Sequence, residues 1–303
     1  MKRPNFIIMG FPKCGSTALH YYLDAHPEIY MPKKKELHYF TQPNIANLNQ
    51  GSGDAVAKEG QIKNIRSYLS LFKEVKLQKA IGETSPSYIN YPASFKEIKK
   101  QLNEPKIIIL LRDPVKRAYS NYLHLLREQR ETETFKEALD LEDKRKQQKY
   151  SDFWYYKFNS FYYDKVSQAI ANFNSVLILT QEELNKDTQK AISKTYRFLD
   201  VNAAFVPRNI NNKYNKGGLY KKNIITNFVF GQGKTKSVLK KLVTLAPWMK
   251  TFKNKIISNY HYKPIPIDEE LESTLIQTFK NDVIKITEMG VDTSLWNSKF
   301  FEK

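Results

Sequence analysis

The chain has 303 residues, with 41% hydrophobic and 13% aromatic side chains, enough to bury a sizeable core and too apolar overall for a disordered protein. The single cysteine, Cys14, excludes a disulfide framework and a cysteine-rich metal centre. A formal net charge of +18 points to anionic partners, and the excess is uneven: from Arg208 to Lys263 there are thirteen Lys or Arg and no Asp or Glu.

The first predicted element is a buried strand over Asn5–Gly10, and Ser16–His26 reads as a helix with Leu19, Tyr22 and Leu23 on one face. Met1-Lys2-Arg3 is basic, but the short apolar run after it enters a glycine turn, which suits a strand and not a signal peptide. A polar stretch from about Gln42 to Gly60 reads as a surface loop, and Ile62–Val75 as a helix. A short strand follows at Ala80–Glu83, then a helix at Ala93–Leu102. "KIIILL", 106–111, is an unbroken apolar run suited to a parallel strand covered on both faces. Pro114 opens a helix, another spans Ser160–Phe173, "SVLILT" at 175–180 is a strand, and helices follow over Thr188–Leu199 and Asp268–Glu288. Alternating strands and helices predict one α/β domain over 1–303, a three-layer doubly wound sheet of mainly parallel strands flanked by helices. Ligands of such sheets bind beyond the C-terminal strand ends, here the 10–17 loop and the 82–88 and 112–120 turns.

The 10–17 loop, GFPKCGST, nearly matches G-x-x-x-x-G-K-[ST], but Ser16 stands where the loop lysine belongs and the lysine sits at Lys13. Strand, loop and helix start suit an anion: free N–H groups and the helix dipole converge, and Ser16 and Thr17 add hydroxyls. A nucleoside triphosphatase or kinase would need the displaced lysine and a magnesium carboxylate, and Asp113 beside Pro114 is a poor candidate. In "LLRDPVKRAYSNY", Arg112 at the strand end and Ser120 in the helix suit a phosphate dianion.

Together these segments resemble the sulfotransferases that use 3′-phosphoadenosine 5′-phosphosulfate (PAPS). "FPKCGSTAL" resembles their 5′-phosphosulfate loop, which implies a P-loop-like fold, and "IIILLRDPVKRAYSNYLH" resembles their 3′-phosphate strand and helix. "KKKELHYF", "GETSPSYI", the stretch "SFYYDKVSQAIANFNSVLILTQEELNKDTQKAISKTYRFLDV" and "DTSLW" resemble heparan-sulfate-type and bacterial members. The resemblance implies that Lys13 contacts the leaving phosphate and that the backbone of 13–17, including Cys14 and Gly15, holds the 5′-phosphate with Ser16 and Thr17. It assigns the 3′-phosphate to Arg112 and Ser120, and Tyr162 to the adenosine side. Gly217 and Gly218 would let a loop close over the nucleotide, with Lys221 or Lys222 on the 3′-phosphate. Glu36 matches the general base; His38 is the competitor, as second base or as a donor that orients the acceptor. No metal is implied.

Two departures fall on the acceptor side: Thr84 stands where a lysine is frequent, and Thr41 where an aspartate is. The expected acceptor is a carbohydrate hydroxyl or amine, with lipid, steroid or small phenolic acceptors as alternatives. The stretch 237–257 reads either as two helices broken near Pro247 or as an interfacial helix making peripheral membrane contact. A basic nucleic-acid binder is the rival class, without a recognisable binding module. With no run apolar enough to span a bilayer, a soluble, cytoplasmic protein is expected.

Overall fold

The computed structural model describes residues 2–58, 61–212, 214 and 265–302, and the backbone of 219–220 and 261–262. A five-stranded parallel sheet organises them: β1 (Phe6–Gly10), β2 (Ile29–Tyr30), β3 (Ala80–Thr84), β4 (Lys106–Leu111) and β5 (Val176–Thr180), in the order β2-β3-β1-β4-β5. All four pairings are parallel, with Phe6 opposite both Gly82 and Lys106. Every residue of β1 and β3, and Ile107–Leu111 of β4, is buried, as the uninterrupted apolar runs require of strands covered on both faces. Each buried Ile there contributes roughly 1.5–3 kcal/mol over an exposed one.

Helix α1 (Ser16–Asp24) packs on β1 and against Thr188–Phe198. Phe95–Leu102 and Tyr163–Asn172 pack together, and Tyr163–Asn172 also meets the C-terminal helix Glu269–Glu288. Right-handed crossovers put these two groups on opposite faces of the sheet, giving the predicted three layers. An antiparallel pair, β6 (Leu219–Tyr220) with β7 (His261–Tyr262), stands apart from the main sheet.

The chain runs outward in opposite directions from β1, to β3 and β2 on one side and to β4 and β5 on the other. The C-terminal ends of β1, β3 and β4 therefore flank the switch point where such folds leave a crevice. Gly10 lets β1 approach β4 there, since a Cβ would lie 2.7 Å from the Leu110 carbonyl oxygen.

Three predicted elements need correction. Of the stretch expected to be a surface loop, residues 42–58 contain the short helices Gln42–Ile45 and Asp54–Ala57 and are anchored to the body. Asp54 is buried, pairs with Arg130, and accepts from the Ser151 amide at 2.8 Å and Trp154 Nε1 at 3.0 Å. A polar composition hid this internal carboxylate. The helix expected over Ile62–Val75 is only Ile65–Ser70, because Asn64 caps it by accepting from the Ser67 amide. The helix expected from Ser160 begins at Tyr163, after a 3-10 turn over Phe158–Ser160.

Candidate active site

A cleft of about 910 Å³ opens over these strand ends. The loop after β1 forms its floor. Gly15 caps α1 in the left-handed region, φ 95°, and a Cβ there would meet Gln181 Cγ at 3.4 Å. Lys13 also has positive φ, 72°, unusual for a side-chain-bearing residue, and lines the cleft with Gly15, Ser16 and Thr17. The Cys14 side chain turns the other way into the core, where burial pushes its thiol up to about 12. It contributes only backbone to the loop.

Helix α2 (Pro114–Arg127) forms a second wall. Asp113 caps it, accepting from the Val115 and Lys116 amides at 3.0 and 3.1 Å. Its other oxygen accepts from the Asn297 amide at 3.1 Å, so the carboxylate is fully engaged in structure. Arg112 leaves β4 and donates to the Lys13 carbonyl at 3.1 Å, joining the two phosphate-type segments. Ser120 faces the same cleft, and so do His124 and Arg127. The sequence reading missed those two. The signal was present, since Ser120, His124 and Arg127 follow one helix face at i, i+4, i+7. Arg127 donates to His124 Nδ1 at 2.6 Å, and Lys13 Nζ lies 3.5 Å from the same nitrogen.

Arg117, by contrast, is a fully buried strut: it donates to Ser160 Oγ at 2.7 Å, the Tyr156 carbonyl at 2.6 Å and the Pro12 carbonyl at 3.4 Å. Tyr162 also lies in the core and not in the cleft wall expected for an adenosine contact. Its ring packs 4.6 Å from Phe11 and its hydroxyl donates to the Arg112 carbonyl at 2.8 Å, so it acts on the cleft through Arg112.

The electrostatics are those of an anion site. Burial, Arg127 and Arg112 lower Lys13 to about 8, with Glu36 and Glu128 opposing. Three cations thus crowd one region, which a bound phosphate or sulfate would relieve.

The third wall is the turn that carries Glu36 and His38. Both have positive φ, 56° and 51°. Lys13, Glu36 and His38 are thus three of the eight non-glycine residues with positive φ among those described, which is where functional strain tends to concentrate. Glu36 is 54% exposed and lies 3.9 Å from His38 Nε2; His38 Nδ1 is 2.7 Å from Ser87 Oγ. Burial lowers His38 while Glu36 and then Asp152 oppose it. Lys35, just before the turn, donates to Thr17 Oγ1 at 2.7 Å and so steadies a loop hydroxyl. Asp152 and Phe153, which the sequence reading did not single out, complete this end. Asp152 is held by Tyr91 at 3.2 Å and Asn90 at 3.4 Å. They come from far along the chain, and no motif marks them.

Among the described residues no group of three or more His, Cys, Asp or Glu could hold a metal ion, and no helix is long and apolar enough to cross a membrane. Gly217, Gly218, Lys221, Lys222 and the stretch 237–257 lie outside the described residues.

The solved sulfotransferase of Alicyclobacillus acidocaldarius is similar over 98% of this chain and 99% of its own, with 29% identity and a TM-score of 0.76. The membrane-associated sulfotransferase kil1 of Dictyostelium discoideum is 41% identical over 119 residues, 39% of this chain. Mouse carbohydrate sulfotransferase 15 is 31% identical over 166 residues, 45% of this chain. The chain spans only 22% and 30% of those two relatives' lengths. Residues 4–204 match the model of the sulfotransferase family, and the chain belongs to that family.

Proposed function

We propose that the chain transfers a sulfuryl group from PAPS to a hydroxyl or amine, with a carbohydrate as first choice, Glu36 as general base and no metal. The observation that carries this reading is the convergence of Lys13, Arg112 and Ser120 on one cleft with the glycine loop. That donor set fits a nucleotide bearing two separate phosphates. The loop amides, Ser16 and Thr17 suit the 5′-phosphosulfate at the start of α1. Arg112 and Ser120 suit the 3′-phosphate.

In the reaction, Glu36 takes the acceptor's proton as the acceptor oxygen or nitrogen bonds to sulfur. The sulfur–oxygen bond to the 5′-phosphate breaks, and 3′-phosphoadenosine 5′-phosphate (PAP) leaves with the extra negative charge. Lys13 meets that charge as it develops, which favours the transition state over the ground state. The exposure of Glu36 leaves it open to the acceptor whose proton it takes.

For the acceptor, support comes from the carbohydrate sulfotransferase among the relatives and from the far end of the cleft. His38, Ser87 and Asp152 offer donors and acceptors for hydroxyls there, and Phe153 offers an apolar face. Lipid, steroid and phenolic acceptors are the alternatives. A kinase reading lacks support, since the carboxylate after β4, Asp113, is spent on capping. We propose a cytoplasmic location. The Dictyostelium relative is membrane-associated by name, and fractionation of the expressed full-length protein distinguishes the two.

Calorimetric titration tests the nucleotide assignment. Arg112→Ala or Ser120→Ala should weaken PAP much more than AMP, because only PAP carries the 3′-phosphate. Equal weakening would make the pair structural. Transfer from PAPS should also survive excess chelator. Complete loss restored by magnesium would return the kinase reading.

A further inference from the structure

We infer that Glu83 is the positioning residue of the turn bearing both candidate bases: through Ser85 its carboxylate grips the Leu37 and His38 amides and sets where Glu36 and His38 point. This inference rests on the proposed role of that turn, and its test is separable from it.

Glu83 sits near the end of β3 and is fully buried, yet no step above uses it. Its Oε1 accepts from the Tyr68 hydroxyl at 3.1 Å and its Oε2 from Ser85 Oγ at 3.3 Å. Ser85 Oγ in turn accepts from the Leu37 amide at 3.1 Å and the His38 amide at 3.3 Å. A hydroxyl has one proton and two lone pairs. With both lone pairs taken by amides, the proton is left to donate, and Glu83 Oε2 accepts it at 3.3 Å. The order is therefore one-way: amides to serine, serine to carboxylate.

The Glu36 amide donates to the Thr84 carbonyl at 2.8 Å, so three consecutive amides of the turn are tied to the end of β3. Such a grip is needed, because Glu36 and His38 both hold positive φ without being glycine. The fully buried Leu37 between them anchors the turn. The same tyrosines extend the support. Tyr39 stacks on Tyr68 at 4.8 Å, and the Phe40 amide donates to the Tyr88 hydroxyl at 3.5 Å.

Burial raises Glu83 to about 7, and hydrogen bonds from Tyr68, Tyr88 and Ser85 partly oppose it. The titratable groups facing it are Tyr68 from the Ile65–Ser70 helix and Tyr88 from the turn after β3. Below that pH a proton on the carboxyl competes with the Ser85 proton, and the grip slackens. Above it the carboxylate accepts all its donors.

The test is an amide proton–nitrogen NMR titration of the full chain saturated with PAP, from mildly acidic to mildly alkaline pH. The Leu37 amide should shift with a midpoint near 7 in the wild type. In Glu83→Gln that step should vanish, PAP affinity should hold, and turnover should fall by roughly 10²-fold, the scale of a misplaced reacting group. Ser85→Ala should lose turnover likewise at unchanged PAP affinity. A Leu37 amide that stays flat in the wild type, or full turnover in Glu83→Gln, overturns the inference. Should one variant fail to fold, the other carries the same comparison, since the Leu37 step should vanish in Ser85→Ala as in Glu83→Gln. Failure of the wild type to bind PAP would sink the nucleotide assignment instead, and the Leu37 amide would still report on Glu83.

Discussion

Glu36→Gln should lower turnover by about 10²- to 10⁴-fold, the usual range for loss of a general base, while PAP affinity stays nearly unchanged. The substitution keeps size and most hydrogen bonding but removes the ability to take a proton. Glu36 is open to the cleft, and the groups proposed to bind the nucleotide lie on other elements, so the loss should appear with the acceptor and not with PAP. His38 sets the control. Its Nδ1 is engaged with Ser87, and burial favours its neutral form. His38→Ala should therefore raise the acceptor KM or reduce turnover less than Glu36→Gln does. Turnover and PAP affinity measured for both variants with one acceptor decide. A nearly active Glu36→Gln beside a dead His38→Ala would reverse the assignment.

Lys13→Ala should reduce turnover by roughly 10²- to 10³-fold, the scale for one preorganised electrostatic donor, with a much smaller effect on PAP affinity. In the proposed role its ammonium meets charge that develops only as the bond to sulfur breaks. The pH profile gives a second handle. In the free enzyme the ammonium is complete well below about 8 and is lost as pH rises through it. The kcat/KM for PAPS should accordingly fall on that alkaline limb. Arg127 is, after burial, the larger cause of the lowering. Arg127→Gln should therefore move the limb to higher pH, and an unmoved limb would assign it to another group.

The parts of the fold legible in the sequence were those with a local signature. The run Lys106–Leu111 could hardly be other than a buried parallel strand, and the spacing of Gly10 and Gly15 marked a strand–loop–helix turn. Arg112 and Ser120 followed from the strand end and the helix that Pro114 opens, and they do share a cleft with Lys13. What stayed hidden was set by tertiary contacts. Asp54 looked like an ordinary loop acid, and only Arg130, Ser151 and Trp154, contributed by later segments, make it an internal anchor. Tyr162 was assigned to the adenosine side by the family resemblance, with core packing as the alternative; its burial against Phe11 makes it support for Arg112. Glu83 gave no signal, since one carboxylate in a short strand has no spacing to read. Its role emerges only when Ser85 and the 36–38 turn are brought over it.

The most direct test of the central claim is label transfer. The protein is incubated with sulfur-labelled PAPS and a panel of sugar, lipid and phenolic acceptors in excess chelator. Label should appear in an acceptor with one PAP formed per sulfuryl group moved, and fastest among the carbohydrates. No transfer to any acceptor and no binding of PAP, together with magnesium-dependent consumption of ATP, would contradict it.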